Sequence, residues 1–207
     1  MWVRKIRLDA NYDGVRAQCE ARLGNARIRI QIDIGFGDVI TPRPEPLVYP
    51  TLLDSEPPRL LGYTPETSIA EKFQAMILLD VANTRLKDFL DVWSLSKART
   101  LNGVVLTEAI QATFRRRGTD PPAATPVAFT AAFYSSPDKQ AQWKACLRKA
   151  RVSSEVPQLA TIVSEIAGLL MPVVNAVNTD QRFILIWPPG GPWQGIPFYN
   201  DSDQHNR

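Results

Sequence analysis

The chain has 207 residues, of which 44% are hydrophobic, enough to form the core of one large domain or two small ones and too many for a disordered chain. Its formal net charge is +3, which permits nucleic-acid binding without requiring it. The single histidine, His205, lies in a polar tail. That position disfavours a histidine general base, a His-ligated zinc and a Ser-His-Asp triad.

Compartment is predicted from three features of the sequence. Residues 1–5 are followed by no apolar stretch of the kind that marks a signal peptide, and no apolar run approaches the ~18 residues that a membrane span needs. Cys19 and Cys146 are far apart and lack the spacing of a metal site, so we expect two free thiols in a reducing environment. We therefore predict a cytoplasmic protein with no membrane partner.

A β-hairpin is predicted near the N-terminus. Residues 15–23 and 26–34 each alternate between apolar and polar side chains, a period of two that gives one buried and one polar face. The two residues between these runs begin with Gly24, which suits a two-residue hairpin turn. That turn fixes the register so that Arg16 lies opposite Asp33 on the polar face.

The domain organisation is predicted from the prolines and from the helical patterns that follow them. Seven prolines lie between Thr41 and Pro65, and they indicate an extended connection with one short strand near 59–63. We predict an α+β protein, with a partial sheet that contains this hairpin followed by a mainly helical part. The expected divisions are a sheet-based part at 1–62, a helical domain at 63–180 and an irregular tail at 181–207.

Five helices are predicted after the prolines. Thr64 suits an N-cap and Pro65 the first helical position, with a helix to about Val81. The third helix ends in residues 115–117, three arginines that suit the helix dipole and could alternatively hold an RNA backbone. The other predicted helices cover about 84–98, 107–117, 138–150 and 157–177, the last bent or ended near Pro172.

Asp33 is the first candidate for chemistry. It lies on the polar face of a strand just before a Gly-x-Gly turn, where a carboxylate can hold Mg²⁺ against a triphosphate. The alternative is a cross-strand ion pair with Arg16. Asp38 is predicted to be a turn residue, and residues 35–38 do not form a phosphate loop because no Gly-Lys-Ser/Thr ending is present.

A second group of candidates lies on the first two predicted helices. Lys72 lies at the flank of an apolar stripe, where it could contact a nucleotide phosphate or simply extend along the protein surface. Asp88 and Asp91 share one helix face and could orient a metal, a ribose or an attacking hydroxyl. Alternatively they form an exposed acidic face, paired with Arg85 at i, i+3 and with Lys87 at i, i+4.

Taken together, these motifs resemble the AbiEii/AbiGii nucleotidyl transferase family, the toxin side of type IV toxin–antitoxin and abortive-infection systems. The resemblance extends over roughly residues 12–150, and its order and spacing make chance an unsatisfactory explanation. The segments that carry it are Gln31–Asp38, Tyr49–Leu53, Ala70–Ala75 and Asn83–Asp91, with a weaker similarity at Thr113–Thr119.

The resemblance implies a fold, an activity and partners. The family's core is similar to that of DNA polymerase β, and its members move a nucleotide from an NTP to an RNA acceptor with Mg²⁺. The expected acceptor is tRNA, and the expected protein partner is an antitoxin of the transcriptional-regulator type. The biological role that the resemblance implies is phage defence by abortive infection.

The resemblance also assigns roles to individual positions. The strand aspartate of the family's core corresponds to Asp33, the predicted metal ligand. The helix lysine that contacts the nucleotide corresponds to Lys72, and the Lys-Asp-x-x-Asp group that closes the site corresponds to residues 87–91. The predicted catalytic residues are Lys72, Asp88 and Asp91, and the predicted nucleotide-binding residues are Lys72, Lys87 and Arg85.

The sequence departs from the family's pattern upstream of Asp33. The family has a Gly-Ser or Gly-Thr segment and an Asp-x-Asp pair there, and residues 1–32 contain neither. We therefore expect an N-terminally shortened member, or a chain whose true start lies further upstream. The alternative function is a catalytically inactive remnant that binds nucleotide, RNA or an antitoxin partner.

Overall fold

The computed structural model describes residues 2–9, 12–36, 40–151 and 156–195. The chain divides into two compact units, residues 1–39 and 40–207. The predicted α+β class is confirmed, with a small antiparallel sheet followed by mostly helical segments. The predicted domain boundary at residue 62 stays a prediction. Asp38 and His205, both singled out from the sequence, lie outside the described residues.

The N-terminal unit is a three-stranded antiparallel sheet in the order β1-β2-β3. Its strands are β1 (Trp2–Asp9), β2 (Tyr12–Leu23) and β3 (Ala26–Gly35). Strands β2 and β3 are the predicted hairpin. Strand β1 was not predicted, and it pairs with the opposite edge of β2.

The predicted hairpin register is confirmed. Leu23 pairs with Ala26, and Arg16 pairs with Asp33. Gly24 has a φ of 57°, a left-handed conformation that glycine adopts without the steric penalty of a Cβ atom. A local turn therefore sets the pairing along the whole hairpin.

The apolar face of β3 is exposed, which corrects the prediction of a buried face. Ile28, Ile30, Ile32 and Ile34 have 53%, 40%, 53% and 42% of their surface exposed. A period of two identifies side chains that share a face, but it does not specify another element that covers them. The correction therefore concerns the burial of the strand and leaves its existence and register intact.

The second unit begins with a short hairpin and a capped helix. Strands β4 (Glu45–Val48) and β5 (Arg59–Gly62) are antiparallel, so the strand predicted near 59–63 is confirmed. Helix α1 (Pro65–Leu79) starts where the sequence predicts. The Oγ1 atom of Thr64 accepts a hydrogen bond from the backbone N–H of Thr67 at 3.2 Å, which satisfies one of the free donors of the first turn.

The four remaining predicted helices follow in the predicted order, and one short helix at Ala131–Tyr134 was not predicted. Helix α3 (Gly103–Arg116) begins earlier than the predicted residue 107 because the side chain of Asn102 accepts hydrogen bonds from the backbone N–H groups of Val104 and Val105. Asparagine is a favourable N-cap, so it fixes the start of the helix there. The helices are α2 (Leu86–Ala98), α3 (Gly103–Arg116), α4 (Ala131–Tyr134), α5 (Pro137–Ala150) and α6 (Leu159–Asn178).

Helix α6 differs from its prediction in two ways. It continues through Pro172 to Asn178, with buried side chains on both sides of the proline, such as Leu170 and Val173. A window of 18 of its 20 residues has a mean hydropathy of 1.7, which makes it the one helix of the described ranges long and apolar enough to cross a membrane by length and composition. The expectation of no such run is therefore wrong, although core helices meet the same criterion, and α6 packs against α2 and α3.

The segment after α6 is more ordered than the predicted irregular tail. Strands β6 (Leu101–Asn102), β7 (Leu185–Trp187) and β8 (Gln194–Gly195) form a second three-stranded sheet. The Trp187 side chain is 6% exposed, and its Nε1 donates a hydrogen bond to the carbonyl of Ser96 at 3.0 Å. The order comes from pairing with a distant segment, which local sequence does not reveal.

Candidate functional site

The central feature is a lysine that contacts two aspartates across neighbouring helices. The Nζ atom of Lys72 on α1 lies 2.9 Å from Oδ1 of Asp88 and 2.8 Å from Oδ2 of Asp91, both on α2. The two aspartates are three residues apart, so they lie on one face of their helix. The structure therefore brings together the three residues predicted to be catalytic.

Buried neighbours position these charged side chains. Ile69 and Phe73 on α1 are fully buried, and so is Phe89 on α2. These apolar residues pack α1 and α2 into one core. The core thereby fixes the two helices that carry the lysine and the two aspartates. Lys72 immediately precedes Phe73 in the chain, and its side chain meets α2 at the edge of that core.

Lys72, Asp88 and Asp91, together with two flanking cations, form a charged group. Lys87 lies 2.7 Å from Asp91, and Arg85 lies 3.5 Å from Asp88, so the predicted i, i+4 and i, i+3 pairs are confirmed. The predicted exposed acidic face is not fully solvated, because the side chain of Asp88 is only 13% exposed and that of Asp91 26%. The reason is the contact with Lys72, which covers this face of α2.

The charges of the group stabilise one another. Burial by itself lowers the pKa of Lys72, but the hydrogen bonds to Asp91 and Asp88 outweigh it and hold that pKa above its usual value. Burial by itself raises the pKa of Asp91, but the hydrogen bonds from Lys72 and Lys87 outweigh it and hold that pKa below its usual value. Both side chains are therefore charged at neutral pH.

The lowered pKa of Asp91 predicts a pH-dependent contribution to stability. That contribution is present above the ordinary aspartate value of 3.8 and is lost as the pH falls through the lowered pKa of the folded state, because over this range the unfolded chain binds a proton at Asp91 more readily than the folded protein does. We expect the difference in Tm between the wild type and Asp91→Asn to be constant from about pH 5 to pH 9 and to shrink below about pH 4. Thermal unfolding of both proteins across this range measures it, and a difference unchanged at pH 3 would contradict it.

Asn83 fixes the backbone that leads into α2. It is fully buried, and its Oδ1 accepts a hydrogen bond from the backbone N–H of Arg85 at 2.7 Å. Its carbonyl accepts a hydrogen bond from Nζ of Lys139 at 2.6 Å, and Lys139 is itself buried. Helix α5 is thereby tied to the start of α2.

Asp33, the predicted metal ligand, belongs to the N-terminal unit and is paired with Arg16. Its Oδ1 and Oδ2 accept hydrogen bonds from Nε and an Nη of Arg16 at 2.7 and 2.8 Å. These hydrogen bonds hold the pKa of Asp33 below its usual value. The alternative that the sequence offered, a cross-strand ion pair, is confirmed.

The described residues do not fit a magnesium site. Among them, no group of three or more His, Cys, Asp or Glu side chains could hold a metal ion. Both carboxylate oxygens of Asp33 accept from Arg16, and Asp88 and Asp91 are paired with cations. Mg²⁺ therefore stays a prediction, and no chemical step is derived through it.

Two residues beside the charged group were not predicted from the sequence. Gln142 and Lys149 on α5 line a pocket together with Arg85 and Lys87. No motif marks them, because they become neighbours of α2 only when α5 packs against it. Helix α5 carries four lysines and arginines, but only Lys149 among them lines the pocket.

An α+β fold with a lysine and paired carboxylates on adjacent helices fits the nucleotidyl transferase class that the motifs predict. The family of AbiEii nucleotidyl transferase toxins of type IV toxin–antitoxin systems matches residues 3–165. This match covers more than half of the chain, and the protein belongs to that family. The family implies a nucleotide substrate and an antitoxin partner. Comparisons with curated proteins and with solved structures gave no match.

Proposed function

We propose that the protein transfers a nucleotide from an NTP to an RNA acceptor, with tRNA as the expected acceptor, and acts as a toxin that an antitoxin neutralises. The observation that carries the proposal is the contact of Lys72 with both Asp88 and Asp91. Family membership gives the reaction class. The acceptor, the Mg²⁺ requirement, the cytoplasmic location and a role in phage defence are parts of the proposal.

The charged group suits contact with a triphosphate. Lys72 is held at a fixed place by two carboxylates, so a phosphate oxygen can replace one of them and receive its hydrogen bond. A carboxylate released in this way can accept a hydrogen bond from the attacking hydroxyl and orient it. While Asp91 keeps its hydrogen bonds from Lys72 and Lys87, its pKa is lowered, and its main contribution in that arrangement is orientation rather than proton abstraction.

The second candidate function is that of a remnant that binds nucleotide, RNA or an antitoxin without catalysis. The observation that favours it is the bidentate pair of Arg16 with Asp33, which occupies both oxygens of the predicted metal ligand. This candidate predicts binding of a partner that does not depend on Asp88 or Asp91.

A transfer assay distinguishes the two candidates. Each of the four NTPs, labelled at the α-phosphate, is incubated with the purified chain and total tRNA, in Mg²⁺ and in EDTA, beside an active relative as the positive control. We expect label on RNA in Mg²⁺ and none in EDTA. Absence of transfer while the relative is active would overturn the enzymatic proposal, and retained nucleotide or RNA binding would then support the remnant.

A further inference from the structure

A pocket lies between the start of α2 and one face of α5, beside the charged group. Its volume is about 490 Å³, which falls within the ordinary range for small-molecule sites. Its position makes Lys87 common to the pocket and to the charged group, since Lys87 lines the one and pairs with Asp91 of the other. Its lining comes from residues 84–87 at the start of α2 and from one face of α5 between Gln142 and Ala150.

The charges of the pocket favour an anion. Arg85, Lys87 and Lys149 line it, and within the described ranges Lys149 has no ion pair. The N-cap residue of α2, Arg85, makes no side-chain capping hydrogen bond, and the start of this helix contributes to the lining of the pocket. Cationic side chains beside an uncapped helix start form a favourable environment for phosphate.

The other walls of the pocket suit a flat ring. Leu86, Ala145 and Cys146 provide apolar surface, and burial raises the pKa of the Cys146 thiol, which keeps it uncharged at neutral pH. Gln142 also lines the pocket, and its Oε1 is buried without a hydrogen-bond partner in the described structure. Because this oxygen is not accessible from the pocket, contact with a ligand falls to the apolar wall and to the cationic side chains.

We propose that this pocket binds a nucleotide unit, with the base against the apolar wall and the phosphate near Arg85, Lys87 and Lys149. This inference rests on the proposed function, because it assigns to the pocket the nucleotide that takes part in transfer at the neighbouring charged group. The nucleotide is either a free NTP or the terminal nucleotide of an RNA chain.

Equilibrium binding tests the pocket without requiring transfer. Fluorescent NTP analogues and a fluorescein-labelled RNA oligonucleotide are titrated against the wild type, Lys149→Glu and Ala145→Trp. The first variant reverses a charge of the lining, and the second fills the pocket without changing charge. The matched control is Lys144→Glu, an exposed position on the same helix that does not line the pocket.

We expect both pocket variants to weaken binding about tenfold or more, and the control less than about threefold. Weakened NTP binding identifies a free nucleotide as the ligand, and weakening confined to RNA identifies the RNA end. No binding of either probe by the wild type, or equal effects of Lys149→Glu and Lys144→Glu, would overturn the proposal. Binding that depends on the pocket without any transfer would overturn the transfer reaction alone, so the two failures are distinguishable.

Discussion

Replacing Lys72 with methionine is expected to lower transfer of nucleotide to RNA about a hundredfold or more, since it removes the cation placed to meet the charge that develops on the phosphates. Methionine keeps most of the apolar stem and removes the ammonium. The loss is expected mainly in kcat, because a phosphate contact made in the reacting complex stabilises the transition state more than the bound substrate. Rates at saturating NTP with labelled tRNA as the product measure it.

Destabilisation has to be separated from this loss of transfer. Without Lys72, Asp88 and Asp91 lose the cation that they share, and we expect a cost of about 1–3 kcal/mol in the free energy of unfolding. Adding Asp88→Asn removes part of the repulsion, so the double variant should regain stability and remain inactive.

A matched control for Lys72 lies on α2. Lys97 pairs with Glu165 at 2.8 Å, and Lys97→Met also breaks an ion pair between two helices. This pair does not include Asp88 or Asp91, so the transfer rate of Lys97→Met should stay within about twofold of the wild-type rate. Full transfer by Lys72→Met, or an equal loss in Lys97→Met, would contradict the proposed role of the charged group.

The elements that the sequence predicts best are those that local chemistry determines. Thr64 and Pro65 fix the start of α1, and Gly24 fixes the turn that sets the β2–β3 register. Each of these signals acts over a few residues, through a cap or a backbone conformation. Helix α3 begins four residues before its predicted start, directly after Asn102, which is a cap of the same kind.

The features that were missed depend on packing between distant segments. Strands β6 and β7 pair Leu101 with Trp187, and neither short segment has a pattern that indicates a strand by itself. The exposure of the β3 isoleucines likewise depends on which element covers them. Alternation with a period of two does not indicate which element, if any, covers the apolar face.

In the candidate site, too, contacts within one helix were predictable from the sequence and the contact between two helices was not. From spacing alone, Asp88 and Asp91 share a face and pair with Arg85 and Lys87, and both points are confirmed. The contact with Lys72 joins two helices, so no spacing within either helix contains it. Only the resemblance to a family placed Lys72 with the two aspartates, and the structure adds the distances.

The largest effect on stability is expected from Phe73→Ala, a change in the core directly beside Lys72. Phe73 is fully buried, with its ring centroid 5.3 Å from that of Phe114 and 6.1 Å from that of Phe129. Removing the ring leaves a cavity among side chains that cannot fully close it. We expect a loss of about 3–5 kcal/mol in the free energy of unfolding, measured by urea denaturation.

Leu78→Ala on the same helix is the control for Phe73→Ala. Leu78 is 59% exposed, so its truncation should cost less than about 1 kcal/mol. Equal losses in the two variants would contradict the packing described for α1. Because the buried ring holds the helix that carries Lys72, Phe73→Ala should also lower transfer under conditions where the protein is still folded, whereas Leu78→Ala should not. That difference would show that the position of the ammonium, and not only its charge, is needed for the reaction.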